Sequence, residues 1–573
     1  MEESATAKEL RELECDMALA FGWSEHVGPY LPMPTPTSIR LLEVAPGQPF
    51  RLSFKIVNLD DLPVYSVLSY TWGNPRGILP SGEDVEADRI AMLAKYPVNC
   101  ENCVLEVSAN CYEFLKWFQT FQQAVCAGWE GVRVFNVSSK HVRYIWVDAI
   151  CINQHSTKDK NCQVRIMDRV YRQAGKALIW LGAADELTQE GLTTMISFAT
   201  AAHALRAHKI PKESRSRLIG RPGNSPLLAK LRLPRLGPRQ WQAVLSMYRR
   251  TWFSRAWTVQ EFALAKGSIV VCGDWMNVWS LWSESSFFLM ESDWAMILTK
   301  METRKAHNES TIARLKYDGL LGDCPPGQSV TILYDVKDSF FFPLICLRDI
   351  SYIQREISRQ RWTFSKLTFP LQRMLGTLSH SNSSHPADHI YAFLGLVPAS
   401  SWEGLSIDYN RPTADTFVQT TWAMIKSTKT LSILSFSELK LMGGVKDLPT
   451  WVPDYTTRQV MKPLDPGSSF PFAGNPPGYF NASKKSLYNS PIKDTLSRTL
   501  IVSGYHQCII AEVEKRNPLR SPDITEKHEP SKLPSIDWKD VFRFDQSLSM
   551  LSLPKISTLH FPKLDERPLS SNA

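Results

Sequence analysis

Long apolar stretches are absent from this chain of 573 residues. The most apolar run, FFFPLICL at 340–347, contains a proline and falls short of the roughly 18 residues that a membrane-spanning helix needs. The first residues, MEESATAKEL, lack the basic-then-apolar order of a secretory signal. We therefore expect a cytoplasmic protein with no membrane span.

A regular cysteine framework is also missing, because the 11 cysteines are scattered and odd in number. This distribution favours reduced thiols in a reducing compartment. Cys100 and Cys103 form a lone CxxC pair, and no second pair with zinc-ligand spacing accompanies it. The sequence thus predicts no metal site. No GxGxxG loop is present, so any dinucleotide site would not be of the Rossmann type.

Positive charge is concentrated in one segment. The formal net charge is +8, and between residues 206 and 239 ten Lys or Arg residues accompany a single acid, Glu213. Proline and glycine interrupt this basic insertion, which is typical of a loop. It is either a solvated loop or a binding segment for an acidic partner or anionic lipid. It lacks the interleaved aromatic residues of a base-stacking groove, which argues against nucleic acid.

Strand and helix patterns alternate through the first half of the chain. Helices are expected from Asn110, from Ser156 and over 251–267, where polar starts precede amphipathic stretches. Four stretches before, between and after them read as buried strands: 65–72, 143–152, 176–182 and 268–273. This order predicts an α/β domain with a parallel sheet and flanking helices.

Composition divides the chain into four expected parts. The α/β domain begins with a predicted hairpin at 39–60 and includes the basic insertion. After it, helical patterns dominate, and the last sixty residues are proline-rich and read as largely disordered. The expected parts are an N-terminal helical segment at 1–38, the α/β domain at 39–279, a mainly helical C-terminal region with short strands at 280–513, and a tail at 514–573.

Polar and aromatic side chains gather where two predicted strands end. Tyr70 and Trp72 close the first strand, Asp148 lies inside the second, and Asn153 follows it. In an open parallel sheet, ligands bind outside the carboxyl ends of the strands. These four residues are therefore candidates for a pocket in which the rings stack on a planar ligand.

Structural interpretations of the same polar residues stay open. Asn153 and its neighbour Gln154 are also suited to binding backbone in the turn after the strand. Asp148 needs a cation or several donors if it is buried, and Arg165 or Arg169 would supply an ion pair.

Glu261 is the most informative acid in the sequence. On the predicted helix it shares one face with Phe253 and Trp257, which precede it by eight and four residues. Burial beside aromatic rings raises a carboxyl pKa and suits it for chemistry. The structural alternative is neutralisation by a nearby arginine, for which the candidates are Arg249, Arg250 and Arg255.

Three blocks of the chain resemble, in order and spacing, the signature of the HET (heterokaryon incompatibility) domain family. The blocks are YSVLSYTWG, RYIWVDAICINQ with the helix after it, and WFSRAWTVQEFALAKG. Weaker likeness, including HPADHIYAFLGL and LPTWVPDY, extends over most of residues 39–510. The resemblance implies a protein of filamentous fungi that acts in programmed cell death on non-self recognition.

HET domains are in turn similar to TIR domains, which have a flavodoxin-like parallel sheet and, in some members, cleave NAD with a helical glutamate. The W-C-x-x-E motif of those domains resembles Trp257–Glu261. The resemblance therefore implies a TIR/flavodoxin-like fold and NAD as a candidate substrate, with no cofactor required. In that interpretation Glu261 is catalytic, and the pocket is formed by Tyr70, Trp72, Asp148, Asn153 and Trp257.

Whether the protein is an enzyme stays open at this point. The alternative is a non-enzymatic signalling module that works through self-association and protein partners. Two departures from the family pattern bear on the fold: Asp159 stands where a glutamate is common, and Pro386-Ala-Asp388-His389 stands where Asp-Pro-Arg-Asp is common.

Overall fold

The computed structural model describes about half of the chain. The described ranges are 29–46, 51–76, 94–101, 103–207, 236–292, 381–397, 402–428, 431–437 and 444–456, with a few single positions and the backbone of three short strands near the C terminus. The predictions for segment 1–38, for most of the basic insertion 206–239 and for the tail 514–573 fall largely outside these residues. None of the helices within the described ranges is long and apolar enough to cross a bilayer.

Ten strands of the described chain form one mixed sheet in the order β12-β9-β8-β7-β3-β6-β1-β2-β4-β5. In chain order they are β1 (Ser38–Val44), β2 (Arg51–Asn58), β3 (Ser66–Tyr70), β4 (Lys95–Cys100), β5 (Cys103–Ser108), β6 (Ile145–Trp146), β7 (Lys176–Trp180), β8 (Ser268–Cys272), β9 (Trp275–Val278) and β12 (Leu559–His560). A separate hairpin pairs β10 (Ile492–Asp494) with β11 (Thr499–Ile501).

The centre of the sheet is parallel. β6, β3, β7 and β8 run in the same direction, and their spatial order by position in the chain is 2-1-3-4. Antiparallel strands extend the sheet on both sides, β1 beside β6 and β9 beside β8. The α/β class is confirmed, whereas a purely parallel sheet is not observed. The central order agrees with the start of the flavodoxin-like order, and the TIR/flavodoxin-like assignment stays a prediction.

Helices cover the sheet and continue into the C-terminal region. They are α1 (Ala109–Cys126), α2 (Gly131–Phe135), α3 (Ser139–Arg143), α4 (Asp148–Cys151), α5 (Thr157–Arg165), α6 (Met167–Gln173), α7 (Thr188–Ala207), α8 (Pro238–Tyr248), α9 (Ala256–Leu264), α10 (Trp279–Glu291), α11 (Asp388–Leu394) and α12 (Thr413–Thr428). Single turns of 3-10 helix occur at Leu59–Asp61, Thr251–Ser254 and Ser432–Phe436.

Contacts divide the chain into two compact units, Met1–Phe480 with Pro554–Ala573, and Asn481–Leu553. Within the first unit, α10 packs against α7, so contacts of the α/β domain continue past residue 279. The boundaries predicted from composition are not tested by this division. In the C-terminal region the residue before Asp388 is an alanine and not an arginine. The Oδ1 atom of Asp388 accepts a hydrogen bond from the Tyr409 hydroxyl at 2.7 Å.

The second predicted strand is much shorter than expected. Only Ile145–Trp146 pairs as a strand, and after Val147 the chain turns into the short helix α4, where the Cys151 amide donates to the Val147 carbonyl at 2.7 Å. Asp148 is the first residue of that helix and not a strand residue: its carbonyl accepts from the Ile152 amide at 3.3 Å, and its Oδ1 atom accepts from the Ala149 amide at 2.7 Å. An acid in a first helical turn is stabilised by the free amides there.

The helix expected over 251–267 is also interrupted. Thr251–Ser254 forms a 3-10 turn, Arg255 is extended (φ −83°, ψ 140°), and α9 starts at Ala256. Phe253 therefore lies outside the helix that carries Glu261, and the predicted three-residue stripe is wrong for its first member. Trp257 and Glu261 do share α9, one turn apart.

A buried ion pair ties the sheet to the loop after α4. Arg40 of β1 donates to both carboxylate oxygens of Asp159, at 2.9 and 3.2 Å, and to the Cys151 carbonyl at 3.2 Å. Asp159 also accepts from the Asn153 amide at 2.8 Å, while its own amide donates to the Ser156 hydroxyl at the start of α5. The side chains of the pair are 3% and 13% exposed, so its loss would leave a buried charge.

We expect Asp159→Ala to destabilise the first unit by about 3–5 kcal/mol, because it leaves the Arg40 guanidinium buried without its counter-charge. The control is Glu113→Gln, which breaks an exposed pair with Lys116 worth less than about 1 kcal/mol. Thermal unfolding compares the two variants. Equal, small shifts for both would show that the Arg40–Asp159 pair does not hold this loop.

Candidate functional site

The candidate site lies at the carboxyl edge of the parallel centre, where β3 and β7 run side by side. Their register pairs Tyr70 with Trp180, so both strands end at the same level. Asn110 of α1 joins the two ends: its side-chain amide donates to the Thr71 carbonyl at 2.6 Å, and its Oδ1 atom accepts from the Trp180 indole at 2.8 Å. The chain order of strands reverses between β3 and β7, which is where open α/β sheets bind ligands.

Ser69 connects the edge of β3 to Glu261. The Ser69 hydroxyl accepts a hydrogen bond from the Trp252 indole at 2.8 Å and donates to Glu261 Oε2. Because the indole N–H can only donate, it leaves the serine proton free for the carboxylate. Sequence reasoning did not select Ser69 or Trp252, although Ser69 is a polar residue at the end of an apolar strand.

Glu261 is a buried carboxyl group, 2% exposed. Burial raises its pKa to about 7, and the nearby charge of Asp148 adds to this rise. Arg255 and the hydrogen bond from Ser69 act in the opposite direction. The group therefore changes charge near neutral pH, which suits a residue that takes part in proton or charge chemistry.

Asp148 is held on the same side of the sheet edge. Its Oδ2 atom accepts from the Trp72 indole at 2.9 Å. Burial raises the pKa of Asp148, while Arg255, Trp72 and the Ala149 amide counteract the rise. The ion pair predicted with Arg165 or Arg169 is wrong: Arg169 binds Asp60 at 2.6 Å, and no ion pair between Arg165 and Asp148 occurs in the described chain.

Arg255 is the cation that acts on both carboxylates. Its guanidinium donates to the Tyr70 carbonyl at the end of β3. The second arginine considered from the sequence, Arg250, is fully buried and pairs with Asp185 at 2.9 Å. The site thus brings together two carboxylates and one guanidinium.

The three aromatic candidates occupy different positions. Trp72 is 41% exposed, and Trp257 is partly exposed one helical turn before Glu261. Both residues are therefore at least partly accessible, and Trp72 contacts Asp148. Tyr70 is 2% exposed, and the nearby thiol of Cys111 in α1 influences its pKa. A stacking role for Tyr70 does not fit this buried position; it packs between sheet and helix.

Asn153 and Gln154 bind the loop that carries them. Asn153 Oδ1 accepts from the His155 amide at 3.1 Å, and the Gln154 amide donates to the Asp148 carbonyl at 2.9 Å. These contacts favour the structural interpretation. The predicted place of Asn153 in a pocket stays a prediction.

Cysteine and metal chemistry find no support in the described ranges. They contain no group of three or more His, Cys, Asp or Glu side chains placed to hold a metal ion. Cys100, Cys103 and Cys151 are free thiols. Burial raises the pKa of the Cys151 thiol well above its usual range, which makes it a poor nucleophile.

The fold and the site define an α/β domain with a buried carboxyl group at the carboxyl edge of its parallel centre. Residues 65–261 match the family model described as Heterokaryon incompatibility protein (HET). Residues 65–261 of this chain are thus similar to the HET family, and the predicted resemblance is confirmed. The matched residues begin just before β3 and end at Glu261, so they enclose every candidate site residue.

A similar protein is heterokaryon incompatibility protein 6, OR allele, of Neurospora crassa. It is 25% identical over 342 residues, which cover 55% of this chain and 45% of that protein. The chain thus aligns with somewhat less than half the length of this relative. No solved structure matches the chain.

We expect Glu261→Gln to change how stability depends on pH. A folded-state pKa near 7, above the ordinary value of 4.5, stabilises the fold at low pH, and this contribution is lost as pH rises from about 4.5 to 7. The wild type should therefore lose about 3 kcal/mol relative to Glu261→Gln over this range. Thermal unfolding of both proteins measures it. A difference in stability between the two proteins that stays constant from pH 4 to 8 would contradict the raised pKa of Glu261.

Proposed function

We propose that this protein acts in fungal heterokaryon incompatibility as an effector whose HET domain cleaves NAD, with Glu261 as the catalytic carboxylate. The family match and the printed name of the Neurospora relative support the incompatibility role. The observation that carries the enzymatic part is the buried Glu261, hydrogen-bonded by Ser69 and placed beside Asp148 and Arg255.

The charge balance of the site favours a cationic reaction centre. When both carboxylates are ionised, Asp148 and Glu261 outnumber the single positive charge of Arg255. The nicotinamide ring of NAD is positively charged, and its presence would favour ionised Glu261. Bond cleavage between nicotinamide and ribose develops oxocarbenium character on the sugar, which an ionised carboxylate stabilises.

The accessible rings fit the planar parts of the same substrate. Trp72 and Trp257 are both at least partly exposed; Trp72 binds Asp148, and Trp257 precedes Glu261 by four residues in α9. The hydrogen bond from Trp72 to Asp148 limits the orientation of its indole. A ring fixed in this way loses less freedom on stacking than a mobile one.

Glu261→Gln should abolish NAD cleavage while the fold is retained, because a neutral amide cannot stabilise positive charge on the ribose. The assay is NAD depletion by the purified full chain, before and after self-association. Glu113→Gln is the matched control, since it makes the same chemical change at an exposed position of α1 and should leave depletion unchanged.

Depletion that persists in Glu261→Gln would remove this residue from the chemistry. Absence of depletion from wild-type protein in both states would exclude the enzymatic role. The chain would then be interpreted as a signalling module that acts through self-association and protein partners in the same response.

Two substitutions of Trp72 should separate stacking from hydrogen bonding. Trp72→Ala removes the ring and should raise KM for NAD about tenfold or more. Trp72→Phe keeps a ring but loses the donor to Asp148, so KM should change only about threefold. Steady-state kinetics measure both. Equal effects of the two variants would show that Trp72 does not stack on the substrate.

A further inference from the structure

The helical conformation of the backbone is interrupted just before the helix that carries Glu261. Arg255 is extended between the turn Thr251–Ser254 and α9. An extended residue at this point leaves backbone groups on either side without intrahelical partners. These backbone groups therefore need hydrogen-bond partners from outside the two helical segments.

Asn382 from the C-terminal region supplies those partners. Its amide donates to the Ser254 carbonyl at 2.5 Å, and its carbonyl accepts from the Ala256 amide at 3.0 Å. Arg255 and Asn382 thus form an isolated parallel bridge. Both bonds use only the backbone of Asn382, whose side chain is exposed.

The backbone position of Arg255 decides where its charge lies. From this extended position the guanidinium reaches the Tyr70 carbonyl, next to the serine that binds Glu261. The charged or titratable groups that act on Glu261 are Arg255, Asp148 of α4 and Tyr171 of α6. Arg255 is the one cation among them.

The same C-terminal segment holds α9 at a second point. The Gly395 amide donates to Gln260 Oε1 at 3.2 Å, and the Gly395 carbonyl accepts from Arg172 at 2.9 Å. A Cβ atom at position 395 would lie 2.6 Å from that Gln260 oxygen and 2.6 Å from the Cβ atom of Asp168. Gly395 is therefore closely packed against Gln260, the residue that precedes Glu261.

We propose that residues 381–397 position Arg255 beside Glu261 and Asp148, so that the C-terminal region controls whether the site holds its cation. Arg255 is a positioning residue in this account. The inference rests on the proposed function for its biological consequence, but it can be tested without NAD.

The experiment measures the pH midpoint at which Glu261 ionises in the full chain. For the wild type and for each variant, Tm is measured across pH 4–10 with and without the additional substitution Glu261→Gln. The midpoint is taken from the pH dependence of the difference in Tm. Arg255→Met should move the midpoint upward by roughly 1 pH unit, because the favourable charge is lost. Arg255→Lys keeps a positive charge and should return most of that shift.

Variants of the C-terminal segment then test the coupling. Asn382→Pro removes the amide that binds Ser254 and should raise the midpoint in the same direction as Arg255→Met. Asn382→Ala keeps both backbone bonds and is the matched control, with a midpoint near the wild-type value of about 7. If Asn382→Pro does not fold by circular dichroism, Gly395→Ala takes its place with the same expected shift.

An unchanged midpoint in Asn382→Pro, or in its replacement, together with a shift in Arg255→Met would overturn the control by residues 381–397. An unchanged midpoint in Arg255→Met would overturn the role of Arg255 itself. Failure to cleave NAD leaves every one of these midpoints measurable, so the failure of the proposed function is seen separately.

Discussion

The site depends on keeping one carboxyl group, that of Glu261, away from water at the edge of a sheet. Removing an ionisable group from water costs free energy, and the protein offsets part of this cost with the Ser69 hydroxyl and the charge of Arg255. The offset is incomplete, which leaves the pKa near neutrality. A stronger ion pair would have made Glu261 a purely structural acid.

The surrounding contacts keep these groups in one place. The Asn110 side chain fixes the ends of β3 and β7, and the buried pair of Arg40 and Asp159 anchors the loop that follows Asp148. The bridge between Asn382 and Arg255, where the helix is interrupted, connects the C-terminal region to these groups. Rigid support of this kind is what a catalytic carboxylate requires, since small displacements weaken interactions in the transition state.

Much of the fold was predictable because apolar runs and capping residues act locally. The hairpin of β1 and β2, the strands β3, β7 and β8, and the cap of α5 by Ser156 follow from such patterns. The mixed sheet was not predictable, since strand direction at the edges depends on distant partners. The turn at Asp148 and the break at Arg255 were missed for a related reason: each is stabilised by specific hydrogen bonds, one of them made with a segment more than one hundred residues away.

Within the candidate site, Glu261, Asp148, Trp72 and Trp257 were predicted from position and residue type and stay predictions. In the structure one cation, Arg255, acts on Glu261 and Asp148, and Trp72 binds Asp148. That cation could not be chosen among three neighbouring arginines from sequence alone. Tyr70 was selected for its ring, but strand alternation turns it away from Ser69 and into the packing under α1.

The most direct test of the account is an infrared titration of Glu261, taken as the difference between wild type and Glu261→Gln, with and without a non-hydrolysable NAD analogue that keeps the cationic nicotinamide ring. Without the analogue the protonated carboxyl signal should disappear with a midpoint near pH 7. With the analogue bound, the cationic ring should lower that midpoint by roughly 1 pH unit or more. A carboxylate already ionised at pH 5 without the analogue, or a midpoint that the analogue leaves unchanged, would contradict the account.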